Sequence, residues 1–159
     1  MKQSESRTVR SGTSSDLRAI EAILVGLQWR ENYVRGQMQS LEHLLEDPEA
    51  AVFVAEQDET VLAFVTVRFA TWNRLGQLHG LAVHVGQRRG GVASLLVAAA
   101  EGWVRRQGGR GVYVDTPVSN DGARLFYEAN GYQFDYRMSH YYGDGLDGVT
   151  YLKLFEQVQ

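Results

Sequence analysis

Gly90, Gly91 and Ala93 stand in the run Arg88-Arg89-Gly90-Gly91-Val92-Ala93, where side-chain bulk is low and backbone N–H groups are dense. Such a loop suits a phosphate, because unshielded N–H groups can donate to an anion at close range. Two elements must hold it. The stretch Leu78-His79-Gly80-Leu81-Ala82-Val83 before it reads as an apolar strand. After it, Val92, Leu95, Leu96, Ala99 and Trp103 recur at i, i+3, i+4, i+7 and i+11, one face of a 3.6-residue period. That helix aims its positive dipole end at the loop. An anion, specifically a pyrophosphate, is the expected ligand.

A second helix is legible in Asn120-Asp121-Gly122-Ala123-Arg124-Leu125-Phe126-Tyr127-Glu128-Ala129-Asn130-Gly131-Tyr132. Ala123, Phe126 and Tyr127 share one of its faces, and Gly131 falls where a left-handed residue ends a helix. A glycine pair alone also serves ordinary turns, so the loop needs its neighbours to decide the reading. Arg88-x-x-Gly91-x-Ala93, behind Val83 on its strand, resembles the Q/R-x-x-G-x-G/A acetyl-CoA signature of the GNAT superfamily of N-acetyltransferases. The run from Asn120 to Tyr132 is similar to that superfamily's N-x-x-A-x-x-φ-Y-e-x-x-G-F/Y element, and the likeness extends along nearly the whole chain.

The resemblance implies an acetyl-CoA-dependent N-acetyltransferase that moves an acetyl group directly to a primary amine of a small molecule or peptide. Such a transfer needs a neutral amine, a polarised carbonyl and a proton for the departing thiolate. A lysine-like amine of pKa about 10.4 costs roughly 4 to 5 kcal/mol to deprotonate at pH 7, so a base is useful. By resemblance, Tyr127 is the acid that protonates the coenzyme A sulfur; its plainer reading is an aromatic core residue. Gln77-Leu78-His79-Gly80-Leu81-Ala82-Val83-His84 is similar to the H-L-H-A-L-A-V-H run of serotonin (arylalkylamine) N-acetyltransferases, with Gln77 in place of the first histidine. His79 is then the base, alone or through water, against the plainer reading of a structural histidine, and His84 is solvated.

The same resemblance assigns the cofactor site. The N–H near Leu81 polarises the acetyl carbonyl, Val83 with Ala82 pairs with pantetheine amides as an added strand would, and Arg88, Arg89, Gly90, Gly91, Val92 and Ala93 form the pyrophosphate loop. Asn120 bonds the pantetheine arm, caps its helix, or does both. The tail Arg137-x-x-x-Tyr141-Tyr142-x-x-Gly145-x-Asp147-x-Val149 is reminiscent of protein amino-terminal acetyltransferases, although Tyr113 stands where the ribosomal-protein alanine acetyltransferases have a glutamate. Trp29, Tyr33 and Trp72 are candidates for the walls of an amine pocket, and Glu31 and Asp115 for attracting a cationic amine. Packing and solvation are the plain alternatives.

Composition bounds these readings. A chain of 159 residues, 44% hydrophobic, supports one domain with a sizeable core, here residues 1–159 with a polar tail at 1–6. The net charge of -3 gives no basic field for nucleic acid. With no cysteine, there is no thiolate nucleophile, disulfide or Cys-based metal site, and no metal is expected. The start lacks an apolar signal region and the apolar run at 92–100 is far short of a bilayer span, so a cytoplasmic protein without membrane contact is expected. A homodimer stays open.

The expected fold is α/β: a GNAT-type mixed central sheet of about six or seven strands with helices on both faces. Strands are expected at residues 8–10, 51–56, 61–69, 77–83, 111–115, 133–142 and 149–155, the third of them apolar on both faces and hence central. Helices follow Ser14, Ser15 or Asp16, end near Asp47-Pro48, and cover 92–103 and 123–130. Acetyl-CoA is expected in a splay between the fourth and fifth strands. Two rivals remain at this point. A dinucleotide-binding oxidoreductase shares the strand, glycine turn and helix, but its G-x-G-x-x-G spacing is missing. A non-catalytic sensor of acetyl-CoA or CoA would keep the binding and lack turnover.

Overall fold

The computed structural model describes residues 7–88 and 90–156. The polar start at 1–6 and Arg89 lie outside the described residues. The elements run β1 (Thr8–Ser11), α1 (Leu17–Gly26), α2 (Glu31–Glu46), β2 (Ala50–Gln57), β3 (Thr60–Ala70), β4 (Leu75–Val83), α3 (Val92–Arg106), β5 (Gly111–Pro117), α4 (Asp121–Ala129), β6 (Gln133–Met138) and β7 (Gly148–Leu154). The strands form a seven-stranded sheet in the order β1-β2-β3-β4-β5-β7-β6. β4 and β5 are its parallel pair, and the other neighbours are antiparallel. A doubly wound dinucleotide fold would need a mostly parallel sheet.

Alternation along β3 sends Val65, Val67 and Phe69 to one side and Phe64 to the other. The first set packs with Val92, Leu96, Val97, Ala100 and Val104 of α3 and with Tyr127 of α4. Phe64 joins Ile20, Ile23 and Leu24 of α1 and Val34, Leu41 and Leu44 of α2. Both faces are thus covered, and β3 is buried through most of its length.

Local chemistry sets the boundaries. Asp16 closes the turn before α1: its Oδ2 accepts from the Thr13 N–H at 2.8 Å, and Arg10 grips both its oxygens at 2.9 Å. Asp58 and Glu59, with φ of 51° and 63°, turn the β2–β3 hairpin through two left-handed residues, the conformation a two-residue hairpin favours. α4 ends in a Schellman motif: Gly131 has φ of 90°, its N–H donates to Glu128 O, and the Tyr132 N–H donates to Tyr127 O at 3.0 Å.

Three expectations are corrected. The buried stripe of α3 is not the one through Leu95, Ala99 and Trp103. Leu95 is 46% exposed, and the stripe runs along Val92, Leu96, Ala100 and Val104 with Val97 beside it. The reason lies at its far end, where Val104 seats over two glycines: a Cβ on Gly76 or Gly109 would come within 2.4 or 2.3 Å of its methyls. The strand expected over 133–142 stops at Met138, because His140 turns left-handed with φ of 56° and its N–H donates to Asp147 Oδ1. Trp72 sits 86% exposed in the turn between β3 and β4 and is not among the residues that line the cavity where β4 and β5 part.

Candidate active site

β4 and β5 are paired from Leu75 opposite Gly111 to Leu78 opposite Val114, and no further. Beyond that point β4 runs on to Val83 and β5 to Pro117, so the sheet opens and the β5-facing edge of residues 79–83 has no strand partner in this structure. On its other edge β4 keeps its pairing with β3, interrupted by a bulge in which Leu78 faces Val67 and Gly80 faces Thr66. His79 is the extra residue. A bulge re-aims its side chain and bends the strand.

The opening leads into a cavity of about 720 Å³. Its walls bring together His79, Gly80 and Leu81 from β4, Asp115 and Thr116 from β5, Asn120 and Tyr127 from α4, and Trp29, Tyr33 and Gln37 from the α1–α2 side. Tyr141, Tyr142 and Leu146 from the β6–β7 loop close it. Gly80 lets α2 approach closely: a Cβ there would stand 2.8 Å from Gln37 Oε1 and 3.2 Å from Thr66 Oγ1. Gln37 Nε2 in turn donates to His79 O at 3.3 Å.

The two candidate proton carriers have opposite chemistry. His79 opens onto the cavity, and loss of water around its ring lowers its pKa below the ordinary 6.5; Arg68 adds to this and Asp115 opposes it. It is therefore neutral at pH 7 and able to accept a proton. Tyr127 is 6% exposed, with its ring edge-on to Phe126 and Tyr132. Burial first, and then the Asp115 carboxylate, push its phenol well above 10. It stays protonated and is a donor.

Asn120 does cap α4, its Oδ1 accepting from the Ala123 N–H at 3.1 Å, and it also lines the cavity. Gln77, which replaces a histidine of the resembled run, lines the cavity and accepts a hydrogen bond from the Tyr113 hydroxyl at 3.0 Å. Ala82 is buried against the α1–α2 core and Val83 packs on the opposite side. Any contact they make in the opening is a backbone one. Glu31 does not reach the cavity. Its side chain is 90% exposed and pairs with Arg35 at 3.2 Å.

Away from the cavity mouth, Gly91 caps α3 with φ of 79°. Leu95 donates to Gly91 O at 3.2 Å as the helix begins, so the N–H groups of the first turn have no intrahelical acceptor and face the loop. Val92 is buried in the core and anchors that turn, while Gly90 and Ala93 flank it with little bulk and Arg88 is exposed. His84 is exposed, and its Nδ1 accepts from the Gly86 N–H at 3.1 Å.

The β6–β7 loop is tied down at several points. Tyr141 donates to Asp115 Oδ2 at 3.1 Å, and Tyr33 donates to Tyr142 O at 2.9 Å. Asp147 holds Arg137 at 2.7 Å, and its own carbonyl accepts from Val118. Gln37 and Thr116 escaped notice in the sequence because nothing in their local pattern separates them from solvated polar residues. Among the described residues no group of three His, Asp or Glu side chains is arranged to hold a metal ion, and no helix is long and apolar enough to cross a membrane.

The chain belongs to the acetyltransferase (GNAT) family, whose model matches residues 22–132. It is similar to the uncharacterized N-acetyltransferase YhfO of Bacillus subtilis (strain 168), 28% identical over 142 residues, covering 84% of this chain and 94% of that one. An aminoglycoside 6'-N-acetyltransferase solved with coenzyme A has the same fold, with a TM-score of 0.82 and 17% identity over 96% of this chain and 99% of the other. So does the ribosomal-protein-S18-alanine N-acetyltransferase of Escherichia coli, with a TM-score of 0.78 and 17% identity over 97% of each chain.

Proposed function

We propose that this N-acetyltransferase transfers the acetyl group of acetyl-CoA directly to a primary amine in the 720 Å³ cavity. The observation that carries the reading is that His79 and Tyr127, a neutral base and a protonated acid, line one cavity where β4 and β5 part.

The unpaired edge of β4 accepts the pantetheine arm as an added strand, with Val83 and Ala82 offering backbone groups and the Leu81 N–H polarising the thioester carbonyl. Asn120 holds the arm from the α4 side. Gly90, Gly91, Val92 and Ala93 present N–H groups to the pyrophosphate, with Arg88 and Arg89 adding charge. Asp115, the carboxylate among the cavity-lining residues, draws the acceptor in as an ammonium beside the rings of Trp29, Tyr33, Tyr141 and Tyr142. His79 takes the proton that the amine must lose, directly or through water. As the C–N bond forms and the C–S bond breaks, Tyr127 gives its proton to the sulfur; the nitrogen loses its second proton to water as the amide forms, the phenolate is reprotonated from solvent, and His79 releases its proton to solvent before the next turnover. No covalent enzyme intermediate is needed, since cysteine is absent.

The protein is mixed with acetyl-CoA and arylalkylamines, polyamines, aminoglycosides or short peptides with free amino termini, and thiol release is followed with a chromogenic disulfide. The cysteine-free chain contributes no background. Release with one amine class supports the reading and names the acceptor; acetyl-CoA binding without release from any of them identifies the sensor instead.

A further inference from the structure

The Arg7 guanidinium reaches from the entry to β1 onto the loop that opens α3. Its Nη1 donates to Gly90 O, its Nη2 donates to Gln87 Oε1 at 3.1 Å, and its Nε donates to Gln57 Oε1 at 3.3 Å. Three acceptors, from the end of β2 and from two points on the loop, thus meet one planar fork. Gly90 leaves room for it: a Cβ there would stand 2.7 Å from Nη1 and 2.9 Å from Nη2. All three guanidinium nitrogens are engaged, so the group has little freedom to turn.

This contact has a directional consequence. In a trans peptide the C=O and the following N–H point in opposite directions. Holding the Gly90 oxygen toward Arg7 therefore turns the Gly91 N–H away from Arg7. A charged donor on a carbonyl makes a stronger tie than a neutral one.

We propose that Arg7 is a positioning residue for acetyl-CoA, fixing the loop from behind so that the Gly91 N–H is set for the pyrophosphate before the ligand arrives. The inference rests on the loop being the pyrophosphate site. Arg7 makes no contact with the acetyl or amine positions and bears on the binding of one substrate only.

Titration calorimetry of acetyl-CoA with wild type, Arg7→Ala, Arg7→Lys and Gly90→Ala, together with steady-state kinetics, tests it. Arg7→Ala is expected to weaken the acetyl-CoA Kd about tenfold, with kcat at saturation and the amine KM within about twofold of wild type. Arg7→Lys, which keeps the charge and loses the fork, recovers only part of the loss. Gly90→Ala displaces the fork and moves the Kd the same way, and combining it with Arg7→Ala adds little because the two act on one contact. If wild type binds acetyl-CoA and Arg7→Ala binds it equally well, this inference alone is overturned. It is also overturned if the amine KM rises in parallel, which marks a general loss of structure. If wild type itself binds no acetyl-CoA, the pyrophosphate reading falls and takes this one with it.

Discussion

The Tyr141 hydroxyl donates to Asp115 Oδ2 at 3.1 Å, joining the β6–β7 loop to β5 just beyond the last paired residue, Val114. This bond orients the cavity carboxylate and anchors the loop that closes the cavity. Tyr33, by donating to Tyr142 O, ties the same loop to α2.

Asp115→Asn is expected to raise the KM for cationic amines about tenfold with a smaller change in kcat, the signature of lost acceptor binding. Tyr141→Phe, which keeps the carboxylate and frees it, should shift the same KM by about threefold or less. Steady-state kinetics with the amine varied at saturating acetyl-CoA measures both. An unchanged KM in Asp115→Asn would leave Asp115 as a solvated residue with no part in acceptor choice.

The acid limb of the pH profile should report His79. Desolvation lowers its pKa, and the base works unprotonated, so this limb of activity rises with pH through a value below 6.5. The kcat/KM profile of wild type against His79→Gln checks this. Loss of that limb in the variant supports the assignment, and an identical profile removes His79 as the base.

Asp16 makes a stability prediction independent of chemistry. It is 5% exposed, and the Arg10 fork, helped by the Thr13 N–H, holds its carboxyl below the usual 3.8. A depressed folded-state pKa stabilises the protein above the unfolded pKa, and that stabilisation is lost as pH falls through the folded value. Asp16→Asn should cost about 1 to 3 kcal/mol at pH 7. In denaturant melts the gap between variant and wild type should narrow as the pH drops below about 4.

Much of this arrangement is legible in the residue pattern, where a local rule and the global fold agree. Gly91 and Gly131 sit where left-handed backbone is needed, and both adopt it. Tyr127 and Ala123 share the face that meets the sheet and the cavity. The stripe of α3 was ambiguous because residues 92–100 are apolar at every position but Ser94. Two overlapping stripes satisfy the helical period there, and the glycines under Val104, Gly109 just past the helix and Gly76 on β4, choose between them. Tyr141 and Tyr142 continue the apolar, aromatic look of β6, yet the Asp147 carboxylate ends that strand through contacts a one-dimensional pattern does not reveal. Glu31 and Asp115 are both acids two residues from an aromatic side chain. Only the place where β4 and β5 separate distinguishes the one in the cavity from the one in solvent.

Gly80→Ala tests the approach of α2 to β4. The added methyl meets Gln37 Oε1 at 2.8 Å and Phe64 Cε2 at 3.3 Å, so Gln37 must swing away and release the His79 carbonyl. Activity should drop several-fold while the melting temperature falls by only a few degrees, since the nearest clash is with the end of a flexible side chain. Thermal melts and kinetics on the same sample separate the two effects.

The most direct test of direct acetyl transfer with Tyr127 as acid is Tyr127→Phe, measured for turnover and for acetyl-CoA affinity together. Its hydroxyl makes no hydrogen bond among the described residues and its ring packs in the core, so removing one oxygen leaves the packing intact. The account predicts kcat lower by about 10² to 10⁴, with the acetyl-CoA Kd within about threefold of wild type. Wild-type turnover in Tyr127→Phe with any accepted amine would contradict it and return Tyr127 to the role of a buried aromatic residue.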